Sequence, residues 1–205
     1  MFTTILTFVY IIIGYLVGSI CSAVIVCRLF DFPDPRTAGS NNPGATNVLR
    51  LAGKKCAIIV LVVDMLKGLL PGLLANLLGA STITLSFICL ACVLGHMFPV
   101  FFQFKGGKGV ATALGALLGF NFILGMMVLI TWIAIAYFTR YSSLSSILTM
   151  VAAPFYSIFV MKNAEAFIPL MLITMLIIYK HHENILRLMD GNESKINLKS
   201  KKKIT

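Results

Sequence analysis

The sequence predicts an all-α protein, a polytopic integral membrane bundle of seven transmembrane helices, and three observations carry the prediction. Of the 205 residues, 59% are hydrophobic and 12% charged, with a mean hydropathy of +0.94. A soluble domain of this length cannot hide so much apolar surface, whereas lipid accepts it on the outside of a bundle. Long charge-poor runs recur along the chain, and the basic residues gather on alternate connections between them.

The first span is placed at residues 4–27. It starts without a basic lead-in, so it reads as a retained helix rather than a cleaved signal. Gly14, Gly18, Ser19, Ser22 and Ala23 recur near helical spacing in its second half and let a neighbouring helix approach closely. Residues 28–55 read as a polar loop. The next span, 56–78, holds Asp64 and Lys67, whose three-residue offset places opposite charges on one helix face. Charges inside a membrane are costly and turn toward the bundle interior, where these two act as a mutual structural pair or help to shape a polar site. A third span, 82–101, carries Gly95, His96 and Pro99 near its end.

Residues 110–138 contain no charge. One helix of that length would extend about 43 Å at 1.5 Å per residue, against a hydrocarbon core of about 30 Å. Two short spans meeting at residues 121–125 fit better, with local thinning of the bilayer or a buried hairpin. Spans at 144–161 and 167–179 complete the set. A single domain, residues 1–205, is expected, with a basic flexible tail over 194–205 whose run at 199–203 meets water or lipid.

Charge decides the count. With the amino terminus outside and seven spans, 15 of the 17 Lys and Arg fall on the inner side, leaving only Lys67 and Lys162. Six spans would put the carboxyl-terminal tail opposite residues 39–50, so the positive-inside rule favours seven and a cytoplasmic carboxyl terminus. The net charge of +10 fits attraction to anionic lipid or substrate. Aromatic residues lie mostly in the apolar runs instead of alternating with the basic ones, which argues against nucleic acid. The five cysteines are odd in number and lie within or beside apolar segments, so they read as small core residues. Cys89 and Cys92 have no second ligand pair, and the expectation is no metal and no other cofactor.

Three stretches on the inner face carry the chemistry. Residues 39–50 pack two glycines, a proline, two hydroxyls, three amides and an arginine into twelve positions. Gly and Pro turn the backbone so that its N–H groups point inward, Ser40 and Thr46 add hydroxyls, and Arg50 adds a planar fork suited to phosphate. Taken alone, such a loop also reads as an ordinary solvated turn. Lys105-Gly106-Gly107-Lys108-Gly109 combines three glycines with two point charges before a helix start that offers free N–H groups. It is not a nucleotide P-loop, because Phe102 occupies the place of the required glycine and neither Ser nor Thr follows Lys108. The third stretch is His181-His182-Glu183-Asn184-Ile185-Leu186-Arg187-Leu188, with Gly191 and Glu193 beyond. If the last span continues as a helix, His181, Asn184 and Leu188 share one face, Arg187 adds charge nearby and His182 points elsewhere. A helix end whose basic residues satisfy the terminal carbonyls is the plainer alternative.

Together these residues resemble the bacterial family of polytopic acyl-phosphate:glycerol-3-phosphate acyltransferases, the PlsY family. The resemblance runs through Gly18-Ser19-Ile20 with Ser22-Ala23, residues 39–50, Asp64 with Lys67-Gly68, Gly95-His96 with Phe98-Pro99, residues 104–112, residues 140–143 and residues 181–187. Asn41 stands where the family motif has Gly, which bears on the shape of the anion loop, and Cys21 where it usually has Pro, which bears on a helix bend. The resemblance implies transfer of a fatty acyl group from acyl phosphate to the 1-hydroxyl of glycerol 3-phosphate, giving lysophosphatidic acid and phosphate in phospholipid biosynthesis. It implies a multi-pass enzyme of the bacterial cytoplasmic (inner) membrane with its active site on the cytoplasmic side. The implied partners are acyl phosphate, glycerol 3-phosphate and the lipid bilayer, with no nucleic acid, and the implied active form is a monomer. Carried over position by position, Ser40, Arg50, Lys108, His181 and Asn184 are catalytic. Asn42, Gly44, Thr46, Asn47, Lys105, Gly106, Gly107, Gly109 and Arg187 bind substrate.

Acyl phosphate is an activated mixed anhydride, so alignment and stabilisation of the developing oxyanion and departing phosphate can carry catalysis. No His is followed by Asp five residues later, so the His-Asp pairing of soluble acyltransferases is absent. Substrate phosphate is therefore the expected base, with His181 as the fallback. The competing reading is a membrane transporter or flippase for a phosphorylated metabolite with Asp64 and Lys67 on its route. Such folds are expected to carry internal repeats, and none is visible in this sequence.

Overall fold

A computed structural model of the chain describes residues 2–196, and among these there are nine α-helices, one 3-10 turn and no strand. In chain order the helices are α1 (Phe2–Gly18), α2 (Ser22–Leu29), α3 (Ala45–Leu77), α4 (Thr82–Met97), α5 (Val110–Phe120), α6 (Phe122–Thr139), α7 (Ser142–Met161), α8 (Phe167–Lys180) and α9 (His182–Met189). Five stretches are long and apolar enough to cross a membrane: Thr4–Leu29, Ala45–Leu77, Thr82–Phe102, Phe122–Thr139 and Ser142–Met161. α5 and α8 are apolar but shorter. The basic run at 199–203 lies outside the described residues.

The helices depart from the expected spans in three places. The first span is broken between α1 and α2, and the Ile20 carbonyl freed by the break accepts a hydrogen bond from Lys67 Nζ at 2.7 Å. The first polar stretch is only half loop: Pro43-Gly44 ends the turn, Gly44 caps α3, and Thr46, Asn47 and Arg50 sit on the opening turns of that helix. α3 then kinks at Gly53, where φ is 80° and ψ −176°, a combination essentially confined to Gly. The charge-free segment does divide at Asn121, whose Oδ1 accepts the Leu124 N–H at 3.0 Å and so starts α6 as α5 ends.

The core lies where α4, α5, α6, α7 and α8 meet, around Ile88, Val93, Met97, Leu117, Leu124, Met150 and Ile177. The five cysteines are free and buried, as small core residues should be. α3 and α5 approach so closely that a Cβ on Gly68 would overlap the Thr112 carbonyl and one on Gly115 the Met65 carbonyl. Large apolar side chains cover the outside, with Phe138 82% and Phe159 78% exposed. That distribution suits lipid as the solvent.

Candidate active site

The site begins with two helix starts. Gly44, Ala45 and Thr46 at the head of α3 and Gly109, Val110 and Ala111 at the head of α5 line one cavity of about 460 Å³. Gly109 reaches this position with φ at 82°. The unpaired N–H groups of a helix start carry partial positive charge, so two such starts at one mouth favour an anion. Asn42, Lys108 and His181 complete the polar end. Most of the remaining lining is apolar, including Leu61, Met65, Leu114, Val128, Trp132 and Met150.

Lys108 is bound to the side chain of Asn184, Nζ donating to Oδ1. The Asn184 Nδ2 donates in turn to Glu193 Oε1 at 2.6 Å. Glu193 also accepts Ser143 Oγ at 2.7 Å and Arg187 Nε at 2.8 Å. Burial, and then the positive charge of Arg187, bring the Lys108 pKa down to about 8, with Arg50 adding to the effect. Burial alone would raise the Glu193 carboxyl, but hydrogen bonds from Ser143, Asn184 and Arg187 hold it below the ordinary carboxylate value. His181 ends α8, so the helical run expected there is broken at this residue, yet His181 and Asn184 are both buried at the site. The His181 Nδ1–H donates to the Ile177 carbonyl at 2.8 Å, leaving Nε2 as an acceptor. Burial, then the charge on Lys108, push His181 down to about 4, so its imidazole is neutral near pH 7.

Not every expected contact residue faces the cavity. Asn47 is 1% exposed; its Oδ1 accepts the Ser40 N–H at 2.9 Å, and its Nδ2 donates to Pro35 O at 3.0 Å and Ala38 O at 2.9 Å. Both amide protons are thus spent on folding the loop. Ser40, Arg50 and Lys105 are exposed and outside the cavity lining. Arg187 turns its Nε to Glu193. Gly106 and Gly107, expected to bind substrate, are outside the cavity lining and lie against neighbouring protein. A Cβ on Gly106 would overlap the His96 carbonyl, and one on Gly107 the His96 ring Nε2. The Gly107 N–H is used as well, donating to the His96 carbonyl at 3.2 Å.

Two residues at the site were given no role in the sequence reading. Glu193 organises the third polar stretch, and its signal was only its place two residues after Gly191. His96 lines the cavity with Asp64, and its signal was the Gly95-His96 turn before Pro99.

Fold and site together define a multi-pass helical membrane protein with a cleft for an anionic, amphipathic ligand. The sequence profile described as glycerol-3-phosphate acyltransferase matches residues 8–191. The glycerol-3-phosphate acyltransferase of Legionella pneumophila (strain Corby) is 58% identical over 189 residues, which are 92% of this chain and 68% of that protein. The enzyme of the same name from Shewanella sediminis is 50% identical over 198 residues, 97% of this chain and 98% of that one. The crystal structure of PlsY, an integral membrane glycerol 3-phosphate acyltransferase in its glycerol 3-phosphate form, is 40% identical. It superposes with a TM-score of 0.87 over 93% of this chain and 96% of that one. The lysophosphatidic acid form of PlsY superposes with a TM-score of 0.84 at 38% identity, over 93% of this chain and 95% of that one. The chain belongs to the glycerol-3-phosphate acyltransferase family.

Proposed function

We propose that this chain transfers a fatty acyl group from acyl phosphate to the 1-hydroxyl of glycerol 3-phosphate, releasing lysophosphatidic acid and inorganic phosphate. One observation carries the reading: a cavity whose mouth suits phosphate and whose inner walls suit an acyl chain. Two helix starts and Lys108 meet the anionic ends of the substrates, while Leu61, Met65, Leu114, Val128 and Trp132 take the chain. The 1-hydroxyl oxygen bonds to the acyl carbonyl carbon, the bond from that carbon to the phosphate oxygen breaks, and the hydroxyl proton leaves with the phosphate or through His181 Nε2. Lys108, aimed by Asn184, stabilises the departing phosphate. Arg50, Ser40 and Lys105 act from the rim, Asn42, Gly44, Thr46 and Gly109 contact substrate at the mouth, and Asn47, Gly106, Gly107 and Arg187 shape it.

In this reading all seven apolar segments cross the bacterial cytoplasmic membrane, with the bilayer thinned at α5 and α8. The amino terminus is outside; the mouth and the carboxyl terminus are cytoplasmic. Residues 1–205 act as one domain and as a monomer, with 194–205 a basic tail. The test is phosphate release by purified protein in detergent, which should require both palmitoyl phosphate and glycerol 3-phosphate. Release without the acceptor, or none with both present, overturns it.

A further inference from the structure

The last turn of α4 holds the second polar stretch and the end of the helix that leads into the third. The His96 carbonyl accepts the Gly107 N–H, and the Met97 carbonyl accepts Lys180 Nζ at 3.3 Å beside His181. A Cβ on Gly107 would overlap His96 Nε2 and meet the Pro43 carbonyl oxygen at 2.9 Å, so this glycine lies flat between the His96 ring and the first polar stretch. The ring itself is pinned from behind. Its Nδ1 is 3.2 Å from Thr112 Oγ1 on α5 and 3.6 Å from Asp64 Oδ1 on α3. Asp64 Oδ1 is held by Ser22 Oγ on α2 at 2.7 Å and by Lys67 Nζ at 2.8 Å. An imidazole buried to 7% exposure is thereby faced by groups from α3 and α5, the former held in turn from α2, and its Nε2 edge lies against the backbone of the residue preceding Lys108.

We propose that His96 is a positioning residue of this site: its ring, held by Asp64 and Thr112, is the platform on which Gly107 rests, and it sets where Lys108 stands. The inference rests on the acyl-transfer reading above. Placement of a charged group to within a fraction of an ångström is what such catalysis needs, and a loop of glycines cannot supply it alone. The ring does two separable things. Nδ1 ties α4 to α3 and α5 and so sets the angle of the ring; the Nε2 edge supports Gly107 directly.

Two replacements separate these. The amide of His96→Asn ends near the place of Nδ1 and keeps the tie but leaves Gly107 unsupported, while the longer His96→Gln ends near the place of Nε2 and restores the support. Phosphate release by the unaltered protein with palmitoyl phosphate and glycerol 3-phosphate is the control, and its absence would defeat the reading of function, not this inference. With that control active, His96→Asn should keep a near-native melting midpoint, lose at least about tenfold in kcat and leave the KM for palmitoyl phosphate unchanged. His96→Gln should be several-fold faster than His96→Asn. A milder pair tests the same point if both fail to fold. Thr112→Val, which keeps shape and removes the hydroxyl on Nδ1, should lower kcat about threefold to tenfold, and Thr112→Ser should restore it. His96→Asn within threefold of native, His96→Gln no better than His96→Asn, or Thr112→Val at native rate overturns the proposal.

Discussion

Two carboxylates hold this site, and they do so in opposite surroundings. Asp64 lies within the apolar length of α3 and gathers Ser22, Lys67 and His96. Glu193 lies past the last helix and gathers Ser143, Asn184 and Arg187. Their side chains are almost equally hidden, 4% against 8% exposed. What differs is the neighbourhood. Around Asp64 the partners Ser22, Lys67 and His96 are all buried, at 3%, 4% and 7% exposure, so each member of that group depends on the rest. Around Glu193, Arg187 is 42% exposed and pairs as well with Glu183 at 3.7 Å, so a lost partner is replaced by solvent. The inner carboxylate should therefore govern whether the fold holds, and the outer one how well Lys108 is aimed.

Substitutions that remove charge while keeping shape put that contrast at risk. Asp64→Asn strands Lys67 inside the bundle, a change worth about 3–5 kcal/mol, which corresponds to a fall of about 10 °C in the melting midpoint in detergent. A midpoint within 2 °C of native would erase the distinction. Glu193→Gln should leave the midpoint within about 2 °C but slow phosphate release by about tenfold to a hundredfold, since hydrogen bonds to a charged group contribute about 1.5–3 kcal/mol. A lowered midpoint at unchanged rate would reverse the two roles.

The smallest effect is also the finest probe. Lys108 with a pKa near 8 is charged below that pH and neutral above it, so kcat/KM should fall about tenfold per unit as pH rises past 8. The negative charge of Glu193 raises the Lys108 pKa, so Glu193→Gln should move this limb to lower pH. An alkaline limb near 10, or one that Glu193→Gln leaves in place, would detach the outer carboxylate from Lys108.

Much of this was legible in the sequence because it is local. The break at Asn121 needs only a short amide and two apolar runs too long to be one, and the gathering of polar stretches needs only the parity of spans. What was not legible depends on partners far along the chain. Asn42 and Asn47 are chemically alike, and only the folded loop reveals that Asn42 borders the cavity while Asn47 closes the turn on Pro35 and Ala38. The break after Gly18 is completed by Lys67, 47 residues from the carbonyl it satisfies. His96 acquires its surroundings from α3 and α5, and Glu193 reaches Ser143 across 50 positions. Spacing within a motif carries no signal of such pairings.

The bond from Lys67 to Ile20 bears on how the polypeptide enters the bilayer. The Ile20 carbonyl also accepts the Ser22 N–H at 3.1 Å, so without α3 the bend would meet hydrocarbon with that carbonyl only half satisfied, and α3 alone would carry an ammonium that has Asp64 but lacks this acceptor. The contact completes both sets of partners. The amino-terminal third is thus suited to leave the insertion machinery as a bundle already joined, not helix by helix.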